Sequence, residues 1–456
     1  MPSSIIDSEY FKDMFGTQEM RNIFSEENMV ESWIKTEGAL AAAQEKLGVI
    51  PNGIADKIKA TSIKDFSMKE MKSEFDRVGF PILPFVHQLN ASLDSESARW
   101  VHYGATTQDI LDTGTVLQIK EGLEYIESEI LHIRNALSTL VSDHRNTAMS
   151  GRTFQQLAAP ISFGYKVAVW LNEIDRHLDR LKELRERILV GQCAGAVGTF
   201  ATLKDRGMDV QKEMMNILEL HQPDITWHTA RDRWAELIFW QGLVTSTLGK
   251  IANEIGILMR SEIGEVSEPF EKGRGASTTL PQKRNPISCE PIIAIAAKMR
   301  GLVENQLSVM IQEHERPIGP MHLEWMIIPE AFVLMSGSLK HSRYVLENLV
   351  VDKDKMLENL GLNGGLIMAE AVMMGLAPKI GKKKAHDIIY EAAGFANDQG
   401  ISLEDALKND ETITSLLSEQ EIKDLINPLN YLGSVEEMID QVLTKRNKSN
   451  RNEKMG

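Results

Sequence analysis

A chain of 456 residues, 43% hydrophobic and 25% charged, is long enough for roughly two or three globular domains. Its formal charge of −15 argues against general nucleic-acid binding, which needs a basic face, but leaves room for a small anionic ligand held by local positive groups. Cys193 and Cys289 are the only cysteines, which excludes a disulfide framework and a cysteine-built metal site.

In chain order, Ser25 to Leu47 carries apolar positions at helical spacing and ends in the turn Gly48-Val-Ile-Pro-Asn-Gly53. Short helical pieces broken by Pro81 and Pro84 follow, to about Asp94. The polar loop Val101-His-Tyr-Gly-Ala-Thr-Thr-Gln-Asp109 comes next, with Thr106 and Thr107 placed to cap a helix starting near Gln108. Long helices are expected over Asp112 to His144, Gln155 to Leu189 (bent near Pro160), Arg231 to Glu262, Pro286 to Gln312 and Pro329 to Asn348, with a shorter one over Asp209 to Glu219. Arg231 to Glu262 is apolar on more than one face, the pattern of a helix buried in a bundle or an interface. Beyond Asp354 the helices shorten, and Thr444 to Gly456 reads as a polar, disordered tail. No period-2 alternation is sustained, so the fold expected is all-α. Its divisions are 1–108, a central long-helix bundle over 109–354, a small helical domain over 355–443, and the tail.

The first residues lack a basic segment followed by an apolar core, and no apolar run approaches a membrane span. A cytoplasmic protein with no membrane partner is expected. The eleven histidines show no metal-ligand spacing. Gly375 to Lys382 misses the spacing and hydroxyl of a phosphate loop, and Gly273-Arg-Gly275 lacks a strand before it.

Four polar loops remain, each at the end of a long helix. They are His102 to Asp109, Gly151-Arg-Thr-Phe-Gln-Gln156, Gly273-Arg-Gly-Ala-Ser-Thr-Thr-Leu-Pro-Gln-Lys-Arg-Asn-Pro286, and Gln312 to Trp325. Each has a bland reading: a hydrogen-bonded helix-end histidine at 102, local ion pairs for Arg152 and Arg316 with Glu313 or Glu315, solvated amides at Gln155 and Gln156, a solvated connector at 273–286. Together they offer hydroxyls, amides, arginines and a lysine to an anion beside a serine, the donor set of a di- or tricarboxylate site. Asn285-Pro286 also reads as N-cap and first helical position, so the 273–286 loop is expected to end on an anion-attracting helix N-terminus.

The 273–286 stretch resembles the Gly-Ser-Ser-x-Met-Pro-x-Lys-x-Asn loop of the fumarase/aspartase superfamily, and His102 to Asp112 and Gly151 to Gly164 resemble its two other shared segments. Within that superfamily the likeness is strongest to bacterial 3-carboxy-cis,cis-muconate cycloisomerases, carried by Trp227 to Arg233, Gln312 to Arg316, His322 to Trp325, Gly364 to Leu366 and Ala369 to Met374. Adenylosuccinate lyase is a more distant relative. The resemblance extends from about residue 14 to 440. It implies three helical domains in a homotetramer whose active sites take loops from three subunits, and cofactor-independent removal or addition of a proton next to a carboxylate. It also implies Ser277 and Lys283 as catalytic residues. It matches Thr106, Thr107, Gln108 and Asn285 to substrate-carboxylate ligands, and the polar loops add His102, Arg152, Gln156 and Arg316 as substrate-binding candidates, with no metal. His102 and His322 are the acid-base partners weighed for Ser277.

Departures from the pattern bear on substrate. Ala276, Thr278, Leu280 and Gln282 replace Gly, Ser, Met and a frequent His, and Phe154 stands where fumarases and adenylosuccinate lyases carry a proton-transferring His and the cycloisomerases a Trp. The His-Asp pair of adenylosuccinate lyases is missing at Phe80-Pro81. The expected reaction is lactonisation of a muconate-like tricarboxylate. The alternatives are a fumarate-releasing C–N lyase acting on a succinyl-amine and an inactive helical scaffold.

Overall fold

Helices dominate the computed structural model, which describes residues 4–453. The principal helices are α1 (Glu26–Lys46), α2 (Thr107–Asp143), α3 (Phe163–Ile188), α4 (Gly207–Leu218), α5 (Asp232–Leu258), α6 (Cys289–Val309), α7 (Pro320–Glu347), α8 (Ala369–Ile380), α9 (Lys382–Gln399) and α10 (Val435–Glu453). The fold is all-α, as the helical periodicity predicts. Among the described residues, strands are confined to two small antiparallel pairs: β1 (Ala148–Thr153) with β2 (Gln156–Ser162), and β3 (Val266–Ser267) with β4 (Val350–Val351). No helix among the described residues is long and apolar enough to cross a membrane.

The chain divides into two compact units, each assembled from three separate segments. The first comprises residues 1–130, 177–249 and 291–341, and the second 131–176, 250–290 and 342–456. In the first unit, Trp33, Ile58, Phe85, Leu89 and Ile110 form one core, with Phe66 stacked on Phe85 at 5.6 Å between ring centroids. A second core joins Ile238, Met299, Ile327 and Ala331. In the second unit, Leu360, Val372, Leu376, Ile389 and Leu407 pack around the C-terminal helices. Each fully buried side chain of this size contributes roughly 1.5–3 kcal/mol. α5 is buried on several faces, through Trp234, Leu237, Ile238, Val244 and Ile251, as its sequence requires.

Two elements differ from the sequence expectation, each for a local reason. The helix expected from Gln155 begins instead at Phe163, because Phe154 (φ 51°) and Gln155 (φ 68°) both adopt left-handed backbone and turn β1 back into β2. Two consecutive left-handed residues make the tight hairpin turn whose twist suits paired strands. α7 begins at Pro320 rather than Pro329, since a proline is favoured in the first turn, and it then runs through Pro329. α10 is assigned as far as Glu453, into the segment from 444 read from sequence as a tail. Residues 454–456 of that tail lie outside the described residues.

Candidate active site

The site residues expected from sequence fall into both units. His102, Thr106, Thr107, Gln108 and Arg316 belong to the first, and Arg152, Gln156, Ser277, Lys283 and Asn285 to the second.

In the first unit the polar loop runs into α2 and is braced from below by buried charge. Asp109 is fully buried. Its Oδ2 accepts from the Thr106 backbone N–H at 3.0 Å and from Gly195 N–H at 2.9 Å, while Oδ1 meets His228 Nε2 at 2.8 Å. One turn on, Asp112 and Glu324 grip the buried Arg231 guanidinium, at 2.7 Å each for the nearest contacts. Arg231 also lies over the rings of Trp234 (4.0 Å) and Trp227 (4.9 Å). Two buried carboxylates around one guanidinium leave an excess negative charge. Burial therefore raises the Glu324 pKa, with the charge and hydrogen bonds of Arg231 opposing and Asp112 adding to the rise.

Gln108 belongs to this framework. Its Nε2 donates to Asp112 (3.1 Å) and to the His228 carbonyl (2.8 Å), and its Oε1 accepts from Arg316 Nε (2.8 Å). The amide of Gln108 is thus engaged by the protein, and it aims Arg316, whose Nη1 and Nη2 also donate to the Ala196 carbonyl at 3.2 Å. Arg316 accordingly pairs with neither Glu313 nor Glu315. The half-buried hydroxyls of Thr106 and Thr107 make no hydrogen bond among the described residues. His102, with left-handed backbone at φ 59°, holds its Nδ1 2.6 Å from Glu37 Oε1.

In the second unit, Arg152 sits at the bulge of the β1–β2 hairpin and forms a two-pronged pair with Glu265, Nη2–Oε1 2.6 Å and Nη1–Oε2 3.0 Å. Glu265 is fully buried and also accepts from Asn359 Nδ2 at 2.8 Å. Arg152 therefore anchors the hairpin to a distant carboxylate rather than to Glu313 or Glu315. Gln156 is exposed beside the tip, and Phe154 at the tip is 99% exposed.

The 273–286 loop is clipped at its base and open above it. Asn285 donates from both its backbone N–H (3.2 Å) and Nδ2 (3.1 Å) to the Gly275 carbonyl, and Ala276 bridges to Arg284. Gly275 has φ 69°, and a Cβ there would lie 2.9 Å from the Asn285 carbonyl oxygen, so glycine is required. Arg284 lies over Phe270 (4.1 Å) and Arg274 over Tyr344 (4.3 Å). Within the loop, Ser277 Oγ accepts from the backbone N–H groups of Thr279 (3.2 Å) and Leu280 (3.1 Å), a serine-capped turn. Lys283 is exposed, and its ammonium has no ion pair or hydrogen bond among the described residues.

One expectation is corrected. The helix after the loop begins at Cys289, not Pro286, and its first N–H groups are already occupied. The buried Glu268 carboxylate accepts from Ser288 N–H (3.0 Å) and Cys289 N–H (2.9 Å). This N-terminus carries its own internal anion and is not open to a substrate.

Sequence reasoning missed Glu37, Glu265 and Glu268. One signal was available: Glu37 directly precedes a small and apolar helical run, Gly38-Ala-Leu-Ala-Ala-Ala43, whose burial makes a neighbouring carboxylate costly unless paired. Separately, a cavity of about 560 Å³ opens in the first unit between Trp33, Met71, Phe75, Trp325 and Pro329, with Asp112 and Glu324 in its wall. None of the expected site residues lines it. Its wall is mostly apolar and its carboxylates are negative, so it does not suit a tricarboxylate.

Comparison with known proteins bears on this arrangement. A family model described as lyase matches residues 14–301, and one described as adenylosuccinate lyase C-terminus matches 365–442. The chain is 39% identical to trans-aconitate decarboxylase 1 of Mycosarcoma maydis, over 95% of this chain and 88% of that protein. It is 36% identical to 3-carboxy-cis,cis-muconate cycloisomerase of Acinetobacter baylyi, over 96% and 98%. Among solved structures, a fumarate lyase from Mesorhizobium sp. BNC1 is 43% identical, with a TM-score of 0.89 over 94% of this chain and 98% of that one.

Proposed function

The chain belongs to the fumarase/aspartase superfamily of lyases, and we propose that it lactonises a 3-carboxy-cis,cis-muconate-like tricarboxylate with Ser277 as the proton-transferring residue. One carboxylate oxygen of the substrate adds to a carbon of its own double bond and forms the lactone C–O bond. The π electrons move onto the neighbouring carbon, next to a second carboxylate. That carbon takes the Ser277 hydroxyl proton, and the serine oxygen is left as an anion until solvent reprotonates it.

The observation that carries this reading is the pair of backbone N–H groups, Thr279 and Leu280, donating to Ser277 Oγ. An oxygen that accepts two N–H groups in its neutral state is best stabilised by them when it carries charge. Lys283, whose ammonium is unpaired among the described residues, is free to hold the carboxylate on which negative charge builds. Arg316, aimed by Gln108, serves another carboxylate, with the Thr106 and Thr107 hydroxyls beside it. The assigned loops lie on both units, in keeping with sites assembled from neighbouring copies in a homotetramer. Exposed apolar side chains along the long helices, among them Phe239, Leu307 and Met326, support an assembled state. Light scattering that finds a monomer at micromolar concentration would overturn the assembly.

A second reading is favoured by the fumarate lyase likeness: the same serine removes a proton from a succinyl-substituted substrate, and fumarate leaves as the bond to the heteroatom breaks. Phe154 in place of a histidine removes one acid that would help the leaving group, which ranks this reading second. The deciding experiment offers the purified protein muconates and succinyl-amines, following loss of muconate absorbance against appearance of fumarate. Ser277→Ala should lower whichever activity is found by about 10²–10⁴-fold; near-normal turnover in that variant sinks both readings.

A further inference from the structure

Of the residues in the first unit that engage the expected site, Glu37 touches His102 in a way that packing alone does not require. The Glu37 side chain is 1% exposed, in the middle of α1. Its Oε1 lies 2.6 Å from His102 Nδ1, and its Oε2 accepts from the His102 backbone N–H at 3.0 Å. Both oxygens of one buried carboxylate are thus spent on one residue, and that residue has left-handed backbone, a strained state for a non-glycine side chain. Seven residues along the same face of α1, Gln44 donates from Nε2 to the Tyr103 carbonyl at 2.7 Å. α1 therefore clamps two successive residues of the loop. His102 Nε2, by contrast, has no hydrogen bond among the described residues, and the side chain is 21% exposed.

We propose that Glu37 is a positioning residue for the reaction: it fixes the ring and backbone of His102 so that Nε2–H is presented, with positive charge, to a substrate carboxylate. The proposal rests on the reading of 102–109 as a carboxylate-binding loop. With Nδ1–H held by Glu37, a second proton on Nε2 makes the ring an imidazolium, paired on one side and free to donate on the other. Two titratable groups, Glu37 and Asp109, set its charge against the effect of burial. Burial disfavours the imidazolium, but the charge and hydrogen bond of Glu37 and the more distant charge of Asp109 outweigh it, and the His102 pKa is raised. Asp109 is itself held by His228, and the nearby Cys193 thiol is kept neutral by its burial. A group with a raised pKa keeps its charge up to that value and loses it as pH rises through it. The His102 contact should therefore fade as pH rises through that raised value.

The test compares wild type with Glu37→Gln, Glu37→Asp and His102→Asn, on the substrate found by the screen above. Glu37→Gln keeps shape but removes the charge. KM should rise about tenfold with kcat changed much less, and the alkaline fall of kcat/KM should move down by about one pH unit or more. Glu37→Asp keeps the charge but shortens the reach. It should raise KM while holding the alkaline fall near the wild-type position, and it carries the test should Glu37→Gln not fold. A merely structural Glu37 predicts a lowered Tm with KM and pH profile unmoved, and that result overturns the proposal. His102→Asn separates the layers. If it raises KM and the Glu37 variants do not, the positioning role alone falls; if it leaves KM unchanged, the carboxylate-loop reading falls and the proposal with it.

Discussion

The two loops assigned to carboxylates are built in opposite ways. The 102–109 loop stands on buried charge: Asp109 holds Thr106 and Gly195, Gln108 is tied into the Arg231–Asp112–Glu324 cluster, and Glu37 holds His102. The 273–286 loop is fastened at its base, by Asn285 on Gly275 and the Ala276–Arg284 bridge, and between them Ser277 is held by its own turn while the Lys283 ammonium meets no partner among the described residues. The difference separates two tasks. A contact that must be in place before substrate arrives is set on groups whose geometry the fold dictates. A contact that must form around substrate is put on a segment that folding leaves largely uncommitted.

This contrast is broken most severely through Arg231. Arg231→Leu leaves Asp112 and Glu324 buried without a counter-charge, and should cost about 3–5 kcal/mol of stability in denaturant unfolding. An unfolding midpoint close to wild type would mean that the cluster is not the foundation described. In the open loop the expectation reverses. Ser277→Ala should lower kcat by about 10²–10⁴-fold while shifting stability by no more than about 0.5 kcal/mol. Between these lies Glu268→Gln, which replaces the carboxylate capping α6 with a weaker acceptor. It should cost about 1 kcal/mol in thermal unfolding, with the activity loss following loss of the folded state.

A smaller, pH-dependent effect sharpens the same division. The folded-state pKa of Glu324 is raised, so between the ordinary carboxyl value and that raised value the native state holds more protons than the unfolded chain. Stability from this group is complete below the ordinary value and declines as pH rises through the window. Glu324→Gln should flatten that decline, measured as denaturant midpoint against pH. The smallest effect is expected at Phe154. It is 99% exposed, so Phe154→Ala should change stability by less than about 0.5 kcal/mol; any larger change in KM would then report contact with substrate rather than folding.

Much of this was legible in the sequence, for physical reasons. Helical periodicity marks α1, α2 and α5 because their buried faces recur at the helical repeat. The 102–109 and 273–286 loops stand out because hydroxyls, glycine and cations cluster there against apolar flanks. What escaped depends on distance along the chain. Glu265 meets Arg152 across 113 residues and Glu37 meets His102 across 65, and no local pattern encodes such pairs. The β1–β2 hairpin was hidden because its two-residue turn uses Phe and Gln, which rarely take left-handed backbone, in place of the Asn-Gly that advertises such a turn. The start of α6 was misjudged because Asn285 and Pro286 resemble a cap, whereas Glu268 supplies it from an earlier segment.

That borrowed cap has an evolutionary consequence. With Glu268 seating the helix and Gly275 and Asn285 closing the base, residues 276–284 bear little of the burden of folding. Such a segment behaves as a cassette: its side chains can be exchanged with small penalty to the scaffold, and selection can explore new chemistries there before any compensating change elsewhere. Relatives that each share more than a third of their aligned residues with this chain, and carry names as different as decarboxylase, cycloisomerase and lyase, are what such insulation would permit.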